Sequence, residues 1–282
     1  MNEKYLEQFV ENALKEDIGS GDHSSLSCIP ENAKGKAKLL VKQSGIIAGV
    51  SVAEKVFRQF DKFLAIDLFI KDGAKIFPGD VVFIVEGSVR SLLQTERLVL
   101  NIMQRMSGIA THTAQYVELL KGYKTKVLDT RKTTPGMRFI EKEAVRIGGG
   151  VNHRFGLFDM IMLKDNHIDF AGGIDAAIDS AVKYLKENKL KIKIEIEVRN
   201  LSDLEIVLTK GGVDRIMFDN FTPELTLEAV KMVNGRYETE SSGGINLETV
   251  RQYAECGVDF VSVGALTHQV KSLDLSLKAI DY

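Results

Sequence analysis

The second half of the chain alternates short strand-like runs with amphipathic segments. Runs of five residues begin at positions 126, 160, 194, 215, 238 and 260. Most are separated by segments such as IDAAIDSAVKYLKENK, whose apolar positions recur every three or four residues as in a helix. Strands that alternate with helices form parallel sheets through right-handed crossovers. Six such units predict a β/α barrel, which need not reach the usual eight strands.

The first half lacks this regular alternation. Helical spacing to about residue 16 is followed by GSGDHSS, whose small polar residues are typical of a loop. Two β-like runs, 35–50 and 64–70, flank the helix-like SVAEKVFRQF, and a further strand, VVFIVEG, follows. The segment 91–121 is helical, with Gly108 as a predicted joint between two helices. Together these elements predict a compact α+β domain.

Composition narrows the class of protein. The 282 residues are 44% hydrophobic, which is enough for a sizeable core. A run of eighteen apolar residues and an apolar signal-peptide segment are both missing from the sequence, so we expect a soluble cytoplasmic protein that binds no membrane. Cys28 and Cys256 stand alone, and this spacing predicts buried, inert thiols instead of a disulfide or a zinc site.

Positive charge is concentrated in one stretch. Between positions 131 and 154 there are six basic residues and two acidic ones, whereas the whole chain has a net charge of −2. A polyanion such as nucleic acid usually requires a basic surface over a whole domain, so the local cluster indicates a small anionic ligand and no nucleic acid. The basic residues are Arg131, Lys132, Arg138, Lys142, Arg146 and Arg154.

The predicted strand ends carry charged residues or glycine-rich turns. Catalytic residues of barrels lie at the carboxyl ends of the strands, which meet at one face. The basic ends come early and the acidic ends later, so we predict a single site with positive and negative sides. The ends are Arg131 and Lys132; Lys164 and Asp165; Glu195 and Glu197; Asp219; Ser242, Gly243 and Gly244; and 264–268.

The two kinds of charge suit different parts of a substrate. Arginines donate paired hydrogen bonds to carboxylates or phosphates, so Arg131 and Arg154, with His153, indicate an anion site. Acidic residues after the middle strands suit either Mg²⁺ or sugar hydroxyls. Alternation in IEIEV puts Glu195 and Glu197 on one face, which leaves open which of them is functional.

Two further motifs have alternative interpretations. SSGGIN and VGALTH resemble the phosphate sites that barrels build after their last strands, although glycines at helix starts are also common. Lys164 lies at a strand end, where a lysine can form a Schiff base as in aldolases. The many fixed charges favour a polyanionic substrate over a ketose.

Taken in order, these motifs resemble those of the quinolinate phosphoribosyltransferase family. The segments that carry the resemblance are GSGDHSS, TERLVLN, TRKTTPGMR, NHR, MLKDNH, IEIEV, MFDN, ESSGGI and VGALTH. A single glycine turn is unspecific, but the ordered set is specific and spans essentially the whole chain. The spacing between IEIEV and MFDN differs from the family's by about one residue, within a helix.

The resemblance implies an α/β fold of two domains and a definite reaction. It implies an N-terminal α/β sandwich domain over 1–107, joined by the C-terminal tail 270–282, and an incomplete β/α barrel of about seven strands over 108–269. The implied reaction transfers phosphoribose from 5-phosphoribosyl-1-pyrophosphate to quinolinate, giving nicotinate mononucleotide, pyrophosphate and CO₂ in NAD synthesis. Mg²⁺ is implied with the donor, and no organic cofactor.

The resemblance also implies roles for individual residues. Lys132 would lie close to the donor, while Glu197 and Asp219 would contact the ribose hydroxyls or the metal; with Lys164 they are the implied catalytic residues. The quinolinate carboxylates would be held by Arg131, His153, Arg154 and Lys164. The phosphate and pyrophosphate sites would be formed by Ser242, Gly243, Gly244, Gly264 and His268.

Arg97 matches an arginine that the family inserts from a neighbouring subunit, which implies a homodimer or a larger homo-oligomer. Taken alone, Arg97 and Arg105 lie eight residues apart and indicate only a solvated helix face. Three other functions stay open: a paralogue acting on nicotinate or in molybdenum-linked metabolism, a non-catalytic anion-binding protein, and a Schiff-base lyase. Nicotinate has one carboxylate and needs fewer cations than this chain supplies.

Overall fold

The computed structural model describes residues 3–280, which form two compact units. The first unit combines Met1–Ala114 with Thr134–Gly149 and Gln269–Tyr282. The second unit combines Gln115–Thr133 with Gly150–His268. Each unit is therefore built from separate stretches of the chain, and 134–149 groups with the first unit although it precedes most of the second in sequence.

The first unit pairs helices with a small antiparallel sheet. Elements are numbered along the whole chain. Those of this unit are α1 (Glu3–Ile18), α2 (His23–Cys28), β1 (Lys34–Val41), β2 (Gly45–Ile46), α3 (Val50–Phe60), β3 (Ala65–Leu68), β4 (Lys75–Ile76), β5 (Val81–Ser88), α4 (Val89–Leu119, ending in the second unit), α5 (Arg138–Ile147) and β12 (Leu275–Ile280). Four strands pair in the order β12, β1, β5, β3, and β2 pairs with β4.

Burial in this sheet follows the strand period of two. Ala37, Leu39 and Val41 of β1 are buried, whereas the residues between them are partly exposed. Phe57 of α3 and Phe83 of β5 meet edge to face with their ring centroids 5.8 Å apart, and both rings are fully buried. Such aromatic pairs add about 0.5–1.5 kcal/mol beyond their area burial. The predicted mixture of strands and helices is confirmed.

Three local predictions for this unit are wrong. GSGDHSS is not all loop, because Asp22 caps a short helix by accepting a hydrogen bond from the Ser25 N–H at 3.1 Å. Gly108 is not a joint, since α4 continues through it. A side chain there would overlap the carbonyl oxygen of Lys271, so close backbone packing requires the glycine. Cys28 is exposed, although Cys256 is buried as predicted.

The second unit is the incomplete barrel. Its elements are β6 (Lys126–Leu128), β7 (Met160–Leu163), α6 (Asp165–Ala171), α7 (Ile174–Glu187), β8 (Lys193–Val198), α8 (Leu201–Lys210), β9 (Arg215–Asp219), α9 (Pro223–Val233), β10 (Glu238–Ser242), α10 (Val250–Glu255), β11 (Phe260–Ser262) and α11 (Ala265–His268). Six parallel strands pair in the order β6, β11, β10, β9, β8, β7. An isolated parallel β-bridge between Val151 and Leu128 extends the sheet beyond β6, at the position where a seventh strand would pair.

The interior of this barrel is charged. Barrels usually fill this space with branched apolar side chains. Here the alternate positions of β8 that face inward are Glu195 and Glu197, while Ile194, Ile196 and Val198 are buried on the other face. The period-two pattern of IEIEV thus places carboxylates inside the barrel. Among the described helices, even the 31-residue α4 lacks the apolar stretch that a membrane span requires.

Candidate active site

The predicted site residues other than Arg97 all belong to the second unit, where they follow the carboxyl ends of its strands. Arg131 and Lys132 follow β6, Lys164 follows β7, and Glu197 lies near the end of β8. The remaining members lie at or after the ends of β9, β10 and β11, and they are Asp219, Ser242, Gly243, Gly244, Gly264 and His268. Contacts among these residues connect neighbouring strand ends.

One contact joins an acid to a base. Lys164 Nζ donates to Glu197 Oε2 at 3.3 Å, and the glutamate is nearly buried while the lysine is exposed. Burial raises the pKa of Glu197, Lys164 opposes that rise, and the nearby charge of Asp219 adds to it. The carboxylates of Glu197 and Asp219 are therefore close enough to repel each other, and the positive charge of Lys164 partly offsets this repulsion.

Two arginines form the basic side. Arg154 is half-buried, and its NH1 donates to the Met160 carbonyl oxygen at 3.2 Å. Burial lowers the pKa of Arg154, and the neighbouring charge of Arg131 lowers it further. Two guanidinium groups that repel each other form a favourable site for a ligand with two negative groups.

The glycine turn after β10 is shaped by its neighbour after β9. Asn220 has a left-handed backbone with φ of 56°, and its side chain donates to Asp219 Oδ2 at 2.8 Å. A side chain at Gly243 would overlap the Asn220 side chain, and Gly243 has φ of 102°, so only glycine fits. Gly244, with φ of 65°, has open space above it. The turn thus keeps its backbone accessible beside Asp219.

The last strand end meets the first. A Cβ placed on Gly264 would lie 3.0 Å from Lys132 Cδ and 3.1 Å from His268 Nε2. Thr267 Oγ1 also donates to the Lys132 carbonyl oxygen at 2.9 Å. Lys132, Gly264 and His268 therefore lie side by side, which is the arrangement expected of a small anion site.

His153 is placed differently from the other predicted residues. Its ring is almost fully buried, and Nε2 lies 2.9 Å from Glu195 Oε2 and 3.5 Å from Glu240 Oε2. Nδ1 accepts the backbone N–H of Arg154 at 2.7 Å. Both ring nitrogens are engaged by protein atoms, so a direct contact between this ring and a substrate carboxylate stays a prediction.

Four ionisable side chains lie together inside the barrel, and we call them the buried cluster: His153, Glu195, Arg215 and Glu240. Arg215 NH1 donates to Glu240 Oε2 at 3.0 Å. The two carboxylates and one guanidinium leave one negative charge, which a single shared proton would neutralise. β8 and β10 are separated by β9 in the sheet, so these side chains meet across the barrel interior.

The pKa values of the buried cluster agree with one retained proton. Burial alone lowers the pKa of His153, but its bonds to Glu195 and Glu240 outweigh burial and raise it to about 9. Burial and the charge of Glu240 raise the pKa of Glu195 to about 7. The two groups titrate as a coupled pair, so we assign one retained proton to His153 and Glu195 together.

This proton should make stability depend on pH. A raised folded-state pKa stabilises the fold at low pH, and that contribution is lost as pH rises through the raised value. Between pH 5 and 9 we expect the wild-type protein to lose up to about 3 kcal/mol more than Glu195→Gln, since the pKa of Glu195 is about 7 in the folded protein and 4.5 in the unfolded chain. Thermal unfolding at unit pH steps would show it. Parallel Tm curves for the two proteins would contradict the shared proton.

Two groups of residues carry metal-ligand atoms. Glu197 and Asp219 offer carboxylate oxygens, which Mg²⁺ prefers, at the open end of the barrel. His153, Glu195 and Glu240 have ligand atoms within 4.8 Å of one another, but Arg215 already neutralises Glu240 there. The first pair therefore fits a hydrated metal bound with a substrate, and the second group is better described as an ion-pair network.

Sequence reasoning missed several residues that hold the site. Asp129 is fully buried, and its two oxygens accept hydrogen bonds from the His153 N–H at 2.9 Å and from Asn152 Nδ2 at 2.6 Å. Glu240 and Asn220 were missed as well. Glu240 had a signal, since the alternation in ETESS puts it on the same inward face as Ser242. Asp129 had none beyond its position two residues before Arg131.

The other charged regions have simpler explanations. In the first unit, Arg97 is exposed, whereas Arg105 binds the fully buried Glu141 through its Nε at 2.7 Å. Arg105 therefore belongs to a structural ion pair with Glu141 and does not lie on a solvated helix face. In the second unit, a cavity of about 550 Å³ lies at the amino ends of the strands. Its lysines pair with acids, as Lys193 does with Glu238 at 2.9 Å, which is typical of a stabilising face.

Comparison with known families gives matches over both halves of the chain. Residues 22–107 match the family model described as "Quinolinate phosphoribosyl transferase, N-terminal domain". Residues 109–278 match "Quinolinate phosphoribosyl transferase, C-terminal domain". The two matched ranges cover nearly the whole chain and meet near Gly108.

Individual proteins are similar over nearly the whole of this chain. A mitochondrial quinolinate phosphoribosyltransferase [decarboxylating] 2b from Nicotiana tabacum is 44% identical over 97% of this chain and 82% of its own. A probable nicotinate-nucleotide pyrophosphorylase [carboxylating] from Bacillus subtilis is 41% identical over 98% of this chain and 94% of its own. The solved structure of NadC from Streptococcus pyogenes superposes with a TM-score of 0.93 at 41% identity, covering 100% of this chain and 99% of that one.

Proposed function

This chain belongs to the quinolinate phosphoribosyltransferase family, and from that premise we propose that it joins quinolinate to 5-phosphoribosyl-1-pyrophosphate with loss of CO₂. The products are nicotinate mononucleotide, pyrophosphate and CO₂. The observation that carries the proposal is the arrangement of opposite charges at one end of the barrel. The paired arginines, Arg131 and Arg154, have the charge to bind a dicarboxylate, while Glu197 and Asp219 suit an activated sugar.

The basic side binds the acceptor. Quinolinate carries two adjacent carboxylates, and each guanidinium can donate two parallel hydrogen bonds to one of them. Charge-assisted bonds of this kind contribute about 1.5–3 kcal/mol each. Binding also removes the repulsion between Arg131 and Arg154. The arginines thereby hold the pyridine ring with its nitrogen directed toward the sugar.

The acidic side assists the transfer. The pyridine nitrogen forms a bond to C1 of the ribose as the bond from C1 to the pyrophosphate oxygen breaks, and positive charge develops on the sugar. Glu197 and Asp219 stabilise that charge because they are fixed carboxylates in a partly buried site. Lys132, beside Gly264 and His268, binds departing or retained phosphate oxygens.

Loss of CO₂ then needs no strong base from the protein. The bond between ring carbon C2 and its carboxylate breaks, its electron pair stays on C2 where the adjacent positively charged ring nitrogen stabilises it, and a proton from water then adds at C2. Because the ring nitrogen is the electron sink, we propose no organic cofactor. Mg²⁺, held by the donor's phosphates with Glu197 and Asp219 directly or through water, would stabilise the leaving pyrophosphate.

The rival functions fit the geometry less well. A nicotinate enzyme would have one carboxylate for two closely placed arginines. A Schiff-base lyase needs a neutral lysine, whereas Lys164 is exposed and bound to the carboxylate of Glu197. A non-catalytic binding protein would have no need of the acidic pair beside the basic one.

The reaction itself tests the proposal. We expect purified protein with Mg²⁺ and 5-phosphoribosyl-1-pyrophosphate to release CO₂ and form the mononucleotide from quinolinate, with roughly 10²- to 10⁴-fold lower kcat/KM for nicotinate, since two charge-assisted bonds are lost. Chelation of Mg²⁺ should abolish turnover. Comparable rates with nicotinate, or borohydride trapping of Lys164 with a carbonyl substrate, would overturn the assignment.

We further propose a homodimer in which Arg97 reaches the partner's site. The support for this proposal is Arg97 itself, which is exposed on the first unit; large apolar side chains such as Phe63, 80% exposed, and Phe170, 92% exposed, are also available for burial in an interface. Mixing subunits of inactive Arg97→Ala and Arg154→Ala should restore about a quarter of wild-type activity, because each mixed twofold dimer regains one intact site. Sedimentation as a monomer, or no recovery on mixing, would contradict it.

The cytoplasmic location stays a prediction. The relatives from Nicotiana tabacum and Oryza sativa have names that place them in mitochondria and chloroplasts. Fractionation of the source cells would decide whether this chain has the location expected from its sequence.

A further inference from the structure

The buried cluster lowers the stability of the fold. Removing a carboxylate or a guanidinium from water costs several kcal/mol per ion, and well-packed apolar residues often serve a protein interior as well or better. In addition, neither carboxylate oxygen of Glu195 accepts a well-aligned hydrogen bond from the residues that the structure describes, and Oε2 is held by its charge contact with His153 Nε2 at 2.9 Å. Stability alone therefore does not explain why three ionisable side chains and a histidine occupy the centre of this barrel.

The cluster is connected to the substrate side through one ring. On its lower side, the His153 ring contacts Glu195 at 2.9 Å and Glu240 at 3.5 Å, and Arg215 holds Glu240 in place. On its upper side, the same ring accepts the backbone N–H of Arg154 at 2.7 Å. The ring therefore transmits the position of the barrel carboxylates to the main chain of the arginine.

Arg154 needs such a support. Its guanidinium lies near that of Arg131, and the two like charges repel each other whenever the acceptor is absent. The Met160 carbonyl oxygen accepts from NH1 at 3.2 Å and holds the end of the side chain, so the backbone must be held as well if the whole residue is to keep its position against this repulsion. Holding it at ligand distance beforehand lowers the cost of binding.

We propose that Glu195 and Glu240 are positioning residues of the acceptor site, which act by holding the His153 ring and through it the backbone of Arg154. They touch neither substrate. This inference rests on the proposed function, because it assigns Arg154 to the quinolinate carboxylates. Glu195 and Glu240, which lie beneath His153 inside the barrel, would thus help to determine how tightly the acceptor binds.

The first test compares the effect of each variant on KM for quinolinate with its effect on KM for the donor. We expect Glu195→Gln and Glu240→Gln each to raise KM for quinolinate by roughly 10- to 100-fold, as small misplacements of a binding group do, with KM for the donor changed less than about threefold. The matched control is Ile196→Val, a neighbour on β8 whose fully buried side chain lies on the other face of the strand. It should lower Tm and leave both KM values near wild type.

The second test asks whether the ring is the link. Once His153→Gln has removed it, adding Glu195→Gln should raise KM for quinolinate by less than about twofold, since residues acting through one group are not additive. Full additivity would overturn the proposal, as would equal rises in both KM values. Where a glutamine variant does not fold, Glu240→Asp, which withdraws the oxygen from His153 and keeps the charge, should have the same unequal effects on the two KM values.

These outcomes are separate from failure of the proposed function. If wild-type protein does not turn over quinolinate, the function itself is wrong. If wild type is active and the carboxylate variants bind quinolinate normally, only the positioning role is wrong.

Discussion

Replacing Arg154 by alanine should lower kcat/KM for quinolinate by roughly 10²- to 10⁴-fold, because two charge-assisted hydrogen bonds of about 1.5–3 kcal/mol each are lost. KM for 5-phosphoribosyl-1-pyrophosphate should change by less than about threefold, since the donor is assigned to other strand ends. Steady-state kinetics with each substrate varied in turn would measure both quantities.

Two comparisons sharpen this experiment. Arg146→Ala is the matched control, because Arg146 is an exposed arginine whose bond to Glu143 lies on the surface of α5. It should leave kcat/KM for quinolinate unchanged. Arg154→Lys should recover only part of the loss, since an ammonium group cannot donate a planar pair of hydrogen bonds. Equal losses for both substrates in Arg154→Ala would remove this arginine from the acceptor site.

Glu197→Gln should reduce kcat by roughly 10²- to 10³-fold, the range observed when a group that stabilises transition-state charge is removed. The carboxylate opposes the positive charge on ribose, which exists only as pyrophosphate departs, so kcat should fall far more than KM rises. Rapid-quench measurement of nicotinate mononucleotide formation in a single turnover would locate the loss in the chemical step.

The control for this variant is Glu205→Gln, on the exposed side of α8. It removes an identical charge from the same unit and should have no effect on kcat. Lys164→Met removes the ammonium group that donates a hydrogen bond to Glu197 at 3.3 Å. If Glu197→Gln changed only KM for the donor, with kcat intact, the carboxylate would be a sugar-binding group and not a stabiliser of developing charge.

The sequence predicted the barrel well because its strands and helices follow simple periods. All six predicted strand runs contain strands, and the alternation in IEIEV put Glu195 and Glu197 on one face without deciding which of them is functional. Lys164 and Asp219 followed from their positions at strand ends. These inferences needed only local sequence and the rule that the carboxyl ends of parallel strands meet at one face.

The supporting residues could not be predicted in the same way. Contact between Glu195 and His153 depends on how a loop closes over the barrel, and no local period encodes a separation of 42 positions. Asp129 looks like one more polar residue after a strand, although it anchors the loop that carries Arg154. Gly108 was misjudged for a related reason, because its need for a small side chain comes from Lys271, far away in the sequence.

The last described strand, Leu275–Ile280, pairs antiparallel with β1 over its whole length. During synthesis on a ribosome, β1 emerges more than two hundred residues before this partner. Its edge therefore stays open until the barrel segments have left the exit tunnel, and open strand edges recruit other chains. A shortened gene product ending before Leu275 should consequently precipitate in the cell, even though every residue of the barrel would be present.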